Sequence, residues 1–329
     1  MDTSIIIPTL NREEDLKNTL IGILQQTKLP KEIIIVDDSD TDNTEKLIKE
    51  TKSIFSGKGI DLIYLRNEKE RSSAIARNLG ADQATAEIIL FLDDDVSLDK
   101  TYIEKLLEIY DRQGVLGVQG YVIENDLIKF WRRSFAKVFI NSIQNIFFLH
   151  HYEKDNCRVL PSGESTFPYY LSNVKSCEWL SGTNQSYRRD IFMQFKFDEK
   201  LKKYSLGEDL DLSYRINKAF PNSLFITPYA ILYHNTSETS RLENRTKTYM
   251  KMVYGTYLYY KNIESTPFNR FIFFWSRTGG LFVGLGGTVI SMKRQSGLGA
   301  QRIRNIIDSY IYTIRHLKDI KDGNLNFFM

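Results

Sequence analysis

The chain has two cysteines among 329 residues, Cys157 and Cys177, and they do not stand at a metal-ligand spacing. That is too few for a disulfide framework, so a stapled secreted scaffold is excluded and a reducing, cytosolic setting is expected. Glycine loops are missing as well. No Gly-x-Gly-x-x-Gly follows an apolar run, and no Gly-Lys-Ser/Thr closes one. The near match starting at Gly284 lies in a helical pattern. A nucleotide would therefore be held by side chains and a metal, not by a backbone cradle. The formal charge of +3 is too small to point to nucleic acid. No apolar run reaches the ~20 residues of a membrane span. Residues 268–292 are broken by Arg277, and the 15 residues after it carry five glycines. The first residues run straight into a strand pattern, so no signal peptide is expected.

What is present is an ordinary globular balance, 42% apolar and 26% charged, with many aromatics: 19 Tyr and 20 Phe. One large domain or two smaller ones can be built from it. The organising stretch is residues 88–96, Ile-Ile-Leu-Phe-Leu-Asp-Asp-Asp-Val. Five apolar, mostly branched residues predict a buried parallel strand. Three carboxylates follow where the strand should end, and open α/β sheets bind ligands at the carboxyl ends of their strands. Adjacent aspartates repel one another, so the turn is either solvated or offset by a cation or by hydrogen-bond donors. Hard oxygen ligands suit Mg²⁺ or Mn²⁺.

Apolar runs at 4–7, 32–36, 61–65 and 88–92 alternate with helical periodicity at 13–26, 42–54 and 73–84. The expected class is α/β: a Rossmann-like, mostly parallel sheet with helices on both faces. The second run also ends in acids, Asp37 and Asp38. With Pro8 and Thr9 at the end of the neighbouring strand, Asp38 could frame a base by accepting an imide N–H; the two acids could equally cap the next helix.

A helix over 102–110 and a strand over 117–123 follow the acidic turn. Residues 127–151 then place Lys129, Arg132, Arg133 and Lys137 on one helical face, opposite Ile128, Trp131, Phe135, Val138 and Phe139. This is either an interfacial helix on anionic lipid or a helix packed on the sheet with a solvated basic face. Residues 206–216 predict a buried helix starting near Glu208, whose first-turn acids suit the helix dipole. A strand-like run over 229–234 ends in His234, either a structural histidine or a ligand. Helices are expected at 245–261 and 299–316. Residues 268–292 form either a membrane-surface segment, with Arg270, Arg277, Lys293 and Arg294 near headgroups, or a segment buried against the α/β domain. The domains are set at 1–239 and 240–329.

Ser-Ile-Ile-Ile-Pro-Thr-Leu-Asn-Arg at 4–12, Ile-Val-Asp-Asp-Ser at 35–39 with Asp42 and Thr44, Ala-Arg-Asn-Leu-Gly at 76–80 and Phe-Leu-Asp-Asp-Asp at 91–95 occur in succession. In that order and spacing the chain resembles family 2 glycosyltransferases, from Ser4 to about Asn235. The resemblance implies a GT-A fold, a sugar-nucleotide donor, a divalent metal and inversion at the anomeric carbon. It puts Pro8, Thr9 and Asp38 around the base and Arg77 near the nucleotide, unless Arg77 instead anchors its own helix to the sheet. Asp93 would face ribose or metal, and Asp95 would be the firmer metal ligand. Asp94 is grouped with the nucleotide-binding residues and its role stays open. His234 matches a position that contributes to the metal site in many GT-A enzymes. Residues 158–163 and 178–189 resemble the sugar and acceptor side of bacterial and archaeal members. There Gly182 permits close backbone approach and Asn184 offers a donor and an acceptor to sugar hydroxyls, a simple turn being the alternative. Glu208 and Asp209 match the family's Glu-Asp pair, in which the Asp is the general base.

The resulting expectation is a metal-dependent inverting glycosyltransferase using Mn²⁺ or Mg²⁺ and a UDP-sugar, with an acceptor hydroxyl on a lipid-linked or polysaccharide precursor. Membrane contact would be peripheral, at the cytoplasmic face, and no nucleic-acid partner is expected. One rival is a sugar-nucleotide pyrophosphorylase, which should carry a glycine-rich basic loop where this chain has Pro8-Thr-Leu-Asn. The other is a catalytically silent nucleotide-sugar-binding or membrane-tethering subunit, against which the joint presence of Asp95 and Asp209 speaks.

Overall fold

Strand and helix alternate from the first residues: β1 (Thr3–Thr9), α1 (Glu13–Leu24), β2 (Glu32–Asp37), α2 (Asn43–Ser56), β3 (Asp61–Arg66), α3 (Ser73–Gln83) and β4 (Ile88–Phe91). The computed structural model describes residues 1–124, 135–235, 244–292 and 296–325. They divide into two compact units. The first is Met1–Arg132, Tyr170–Lys203 and Glu208–Arg241; the second is Arg133–Tyr169, Tyr204–Gly207 and Leu242–Met329.

In the first unit, β1 to β4 pair in parallel in the order β3-β2-β1-β4. Ile5, Ile7, Ile33, Ile35, Leu90 and Leu92 are buried in one core with Leu16, Leu20 and Ile23 of α1. Ile6, Ile34, Ile89 and Phe91 are as deeply buried on the alternate strand positions. A strand buried on both faces has no polar side, which is why these runs lack the alternation of a surface strand. Gly80 lets α3 sit close on this sheet: a Cβ there would lie 2.5 Å from the Ile6 side chain.

The sheet continues through β5 (Val96–Leu98), α4 (Tyr102–Tyr110), β6 (Gly117–Glu124), β9 (Lys175–Cys177), β10 (Gln185–Arg188), α6 (Arg189–Phe195), α7 (Glu208–Ala219) and β11 (Leu224–His234). The full order is β3-β2-β1-β4-β10-β6-β11-β5, with β9 beside β11. β6 and β11 are parallel. β10 runs antiparallel between β4 and β6, and no apolar periodicity announces it. Its buried polar side chains find partners on the neighbouring strand and within β10: Ser186 donates to the Val118 carbonyl at 2.6 Å, and the Tyr187 hydroxyl to Gln185 at 2.9 Å.

The second unit holds α5 (Phe135–Ile146), the ribbon β7 (His151–Lys154) and β8 (Thr166–Tyr170), and the helices α8 (Asn244–Asn262), α9 (Pro267–Met292), α10 (Ser296–Arg315) and α11 (Leu317–Lys321). α10 packs on both α8 and α9. Among the described residues no helix is long and apolar enough to cross a membrane. Lys129, Arg132 and Arg133, the basic face read from the sequence, lie outside the described residues, as does the Lys137 side chain. Of the two positions open to Arg277, near headgroups or in a buried segment, the side chain takes an inward one. It turns inward to Glu164 at 3.4 Å and lies 4.8 Å over the Phe273 ring. Burial works to raise the Glu164 carboxyl, but Lys251, Arg277 and His150 outweigh it and hold the group low. Both cysteines are buried and unbridged.

Candidate active site

The acidic turn begins where β4 stops. Leu92 still donates its N–H to the Ile6 carbonyl of β1, but the Asp93 N–H goes to the Thr183 carbonyl at 3.2 Å. The chain thus leaves the parallel ladder for the loop before β10, and the three carboxyls fan apart. Asp93 and Asp95 converge with His234 from the end of β11, their ligand atoms all within 4.8 Å of one another. His234 Nε2 is 3.1 Å from Asp95 Oδ1. β11 delivers the imidazole because His234 pairs with Val96. Two carboxylates and one imidazole make a donor set that fits a divalent cation, the carboxylates favouring Mn²⁺ or Mg²⁺. Withdrawal from water pushes the Asp93 carboxyl up, with Arg77 and His234 pulling against it.

Asp94 turns the other way. It is buried, accepts from Thr9 Oγ1 at 2.8 Å and faces Arg12 Nη1 at 3.1 Å. Burial raises it to about 7. Its position makes it an internal strut of the turn, away from the Asp93–Asp95–His234 cluster. Thr19 of α1 completes the support by donating to the Asp94 carbonyl at 2.8 Å and bonding the Val96 backbone. Arg12 also reaches Asp95 at 3.5 Å.

A second network joins α3 to α7. Arg77 is buried, and its guanidinium meets Glu208, Asp93 at 3.0 Å and the Gly182 carbonyl at 3.3 Å. Burial and the neighbouring Asp209 drive Glu208 up to about 8, although Arg77 opposes them. Asp209, half-buried in the first turn of α7, accepts the Gly182 N–H at 2.8 Å. A Cβ on Gly182 would stand 3.3 Å from that same carboxylate oxygen, tighter than ordinary contact. Gly182 thus binds Asp209 through its N–H and Arg77 through its carbonyl.

At the ends of β1 and β2, Thr9 and Asp37 are register partners, so Pro8, Thr9 and Asp38 come side by side. Asp38 is raised by burial and accepts from Asn67 at 2.5 Å. Asn11, at φ 53°, ties the two loops together by pairing its amide with Asp40 at 2.9 and 3.0 Å. Asn is among the few residues that tolerate this left-handed backbone.

Several expectations change in this geometry. Asn184, expected to offer its amide to sugar hydroxyls, has no exposed surface. Glu208, expected on the acceptor side, is an internal partner of Arg77. Arg77 links α3, the acidic turn and α7, so its charge is spent inside the protein. Arg12 and Thr19 were missed. Nothing in their local sequence says that α1 and its preceding loop lie against a turn some 80 residues later.

The profile described as Glycosyl transferase family 2 matches residues 4–172, more than half of the chain. The protein belongs to glycosyl transferase family 2. Glycosyltransferase GlyA of Streptococcus pneumoniae is 28% identical over 221 residues, which cover 65% of this chain and 27% of that protein. A glucosyl-dolichyl phosphate glucuronosyltransferase of Haloferax volcanii is 22% identical over 196 residues, 59% of this chain and 55% of that one. The chain thus spans about a quarter to a half of the length of these curated relatives. Among solved structures, the mannosyltransferase PcManGT from Pyrobaculum calidifontis, in complex with GDP-Man and Mn²⁺, superposes with a TM-score of 0.57 at 14% identity. The match covers 98% of this chain and 84% of that one. At that identity the likeness concerns the fold, the GT-A arrangement of a mostly parallel sheet between helices. Asp93, Asp95, His234 and Asp209 thus stand on a GT-A scaffold.

Proposed function

We propose that the protein moves a glycosyl group from a UDP-sugar to an acceptor hydroxyl, with inversion at the anomeric carbon. The observation that carries this reading is the separation of acids by role: Asp93 and Asp95 converge with His234, whereas Asp209 sits apart on the Gly182 N–H. Asp209 accepts the proton of the acceptor hydroxyl as its oxygen forms the new bond to the anomeric carbon. The bond from that carbon to the diphosphate oxygen breaks, and its electron pair leaves with the nucleotide. Gly182 holds the Asp209 carboxylate in place through one oxygen. Asp93, Asp95 and His234 would hold Mn²⁺ or Mg²⁺, which when bound supplies a Lewis acid and offsets the charge on the diphosphate. Arg77 steadies Asp93 and Arg12 steadies Asp95 for that purpose. No second acid is required, because a nucleoside diphosphate is already a fair leaving group.

Asp38, at the end of β2 with one oxygen on Asn67, supports a uracil base whose imide N–H it would accept. The acceptor is assigned to the lipid-linked or glycan-precursor class, as the name of the Haloferax relative favours, and the protein to peripheral contact at the cytoplasmic face of a membrane. The test is a thermal-shift screen of UDP, GDP and CMP with Mn²⁺ or with EDTA, followed by nucleoside diphosphate release from the matching sugar nucleotide. UDP with Mn²⁺ should raise the melting temperature most, because a ligand that binds the folded state stabilises it. Greater stabilisation by GDP or CMP overturns the donor, and full turnover in EDTA overturns the metal.

A further inference from the structure

Helix α9 should hide its apolar residues, as a helix of a soluble domain normally turns its stripe toward the core. It does so only in part. Ile272 and Phe273 are buried, but Phe268, Phe271 and Phe282 are more than 60% exposed, and Phe274 is nearly so at 59%. Trp275 also reaches the surface. Phe268, Phe271, Trp275 and Phe282 follow one another at steps of three, four and seven residues, so they share one face over about 21 Å of helix. α5 extends that face within the same unit. The Trp275 indole donates to the Ile146 carbonyl at 2.9 Å, and its ring lies 4.8 Å from Phe147. Ile146, Phe139 and Val138 of α5 are themselves more than half exposed.

A contiguous apolar patch of this kind marks a binding surface, and two observations identify its occupant. First, the residues are aromatic. A helical partner packing knobs into holes is served by Leu, Ile and Val, whereas Trp and Phe beside cations are the composition of a helix lying in a lipid interface. Second, the charge is one-sided. Residues 127–150 and 267–307 contain no aspartate or glutamate, although the chain has 41, and they carry ten lysines and arginines. One of the ten, Arg277, is neutralised inside the unit by Glu164. Arg270, between Phe268 and Phe271, is exposed. We propose that the α5–α9 face is a docking surface for an anionic lipid bilayer, with the aromatic side chains of α9 entering the headgroup region and α9 lying along the surface. This rests on the peripheral membrane contact proposed above and gives it residues; because they lie outside the transferase site, flotation can fail while nucleotide binding and turnover hold, and the reverse.

The experiment is flotation of the full chain with vesicles of phosphatidylcholine alone and of equal parts phosphatidylcholine and phosphatidylglycerol. The parent should float with the anionic vesicles and bind the neutral ones at least tenfold more weakly. The triple variant Phe268→Ser, Phe271→Ser, Phe282→Ser should lose at least tenfold in binding with an unchanged melting temperature, whereas Tyr229→Ser, another exposed aromatic, should float like the parent. Tryptophan quenching by brominated lipid reads the same contact without relying on the triple variant's stability: the parent should be quenched and Trp275→Phe quenched less. A parent that stays at the bottom, a triple variant that floats equally well, or quenching unaffected by Trp275→Phe overturns the proposal. A dimer that forms without vesicles and is abolished by the triple variant, in a parent that does not float, assigns the face to a second copy of the chain and also overturns it.

Discussion

Replacing Arg77 with Met tests whether the buried charge network holds the site together. Met keeps much of the apolar stem and removes the cation that meets Glu208, Asp93 and the Gly182 carbonyl. The side chains of Arg77 and Glu208 are 5% and 8% exposed, so water cannot take the guanidinium's place. Removing one partner of such a pair costs about 3–5 kcal/mol, a large part of the roughly 5–15 kcal/mol that keeps a domain folded. The lower end applies if Glu208 responds by binding a proton, which its raised value already favours. Adding Glu208→Gln removes the stranded acid. The double variant should therefore recover about 1 kcal/mol or more relative to Arg77→Met alone, within the coupling range of neighbours that share a network. Urea denaturation of the metal-free protein measures both differences from the midpoint and slope. Lys at this position should not substitute, because one ammonium cannot reproduce the planar fork. A cost for Arg77→Met below about 1 kcal/mol, far under the range for a broken buried pair, refutes the reasoning. So does a double variant less stable than the single one.

Asp209→Asn keeps the size and, through its one carbonyl oxygen, one of the two backbone N–H bonds that the carboxylate accepts, but it cannot accept a proton, so turnover should fall by about 10²–10⁴-fold with Mn²⁺ binding nearly unchanged; near-parent turnover would remove Asp209 as the base. The neighbouring Asp211 is no substitute, being buried and paired with Arg215 at 3.0 Å. Asp95→Ala should weaken Mn²⁺ binding by calorimetry by about 100-fold or more, beyond the 10–100-fold typical of outer-shell partners, and unchanged affinity would count against the cluster. The pH dependence of stability has a definite sign. Asp94 at about 7 and Glu208 at about 8 bind protons more tightly in the folded chain than in the unfolded one, where carboxyls titrate near 4, at about 3.9–4.3. Stability from these two groups therefore falls as pH rises from about 4 to about 8 and is level above that. Glu208→Gln should flatten the fall between pH 5 and 8, and a profile superimposable on the parent's would contradict the assignment.

The sequence by itself determined the strands that are buried on both faces and the acids that close them. Continuous branched apolar runs such as 32–36 and 88–92 have no other stable use, and the carboxylates at 37–38 and 93–95 are adjacent to them in the chain. The order and spacing of the motifs from Ser4 to Asp95 likewise carried the family. Which partner each acid meets was decided only by the tertiary structure. Asp93, Asp94 and Asp95 are chemically identical in sequence, yet one meets Arg77, one Thr9 and Arg12, and one His234. Those partners come from four other segments, brought there by sheet register. β10 was illegible for the same reason: Gln185 to Arg188 show no apolar period, and Ser186 and Arg188 find their partners in the Val118 and Val115 carbonyls, some 70 residues away. Asn184, Arg277 and Arg12 follow suit. A polar side chain's role depends on whether it ends in water or against a partner, and in these three cases the partner or the burial comes from residues distant in the chain. Local pattern records what a segment must bury, whereas the pairing of polar groups is decided by contacts such as Arg77 with Glu208, 131 residues apart.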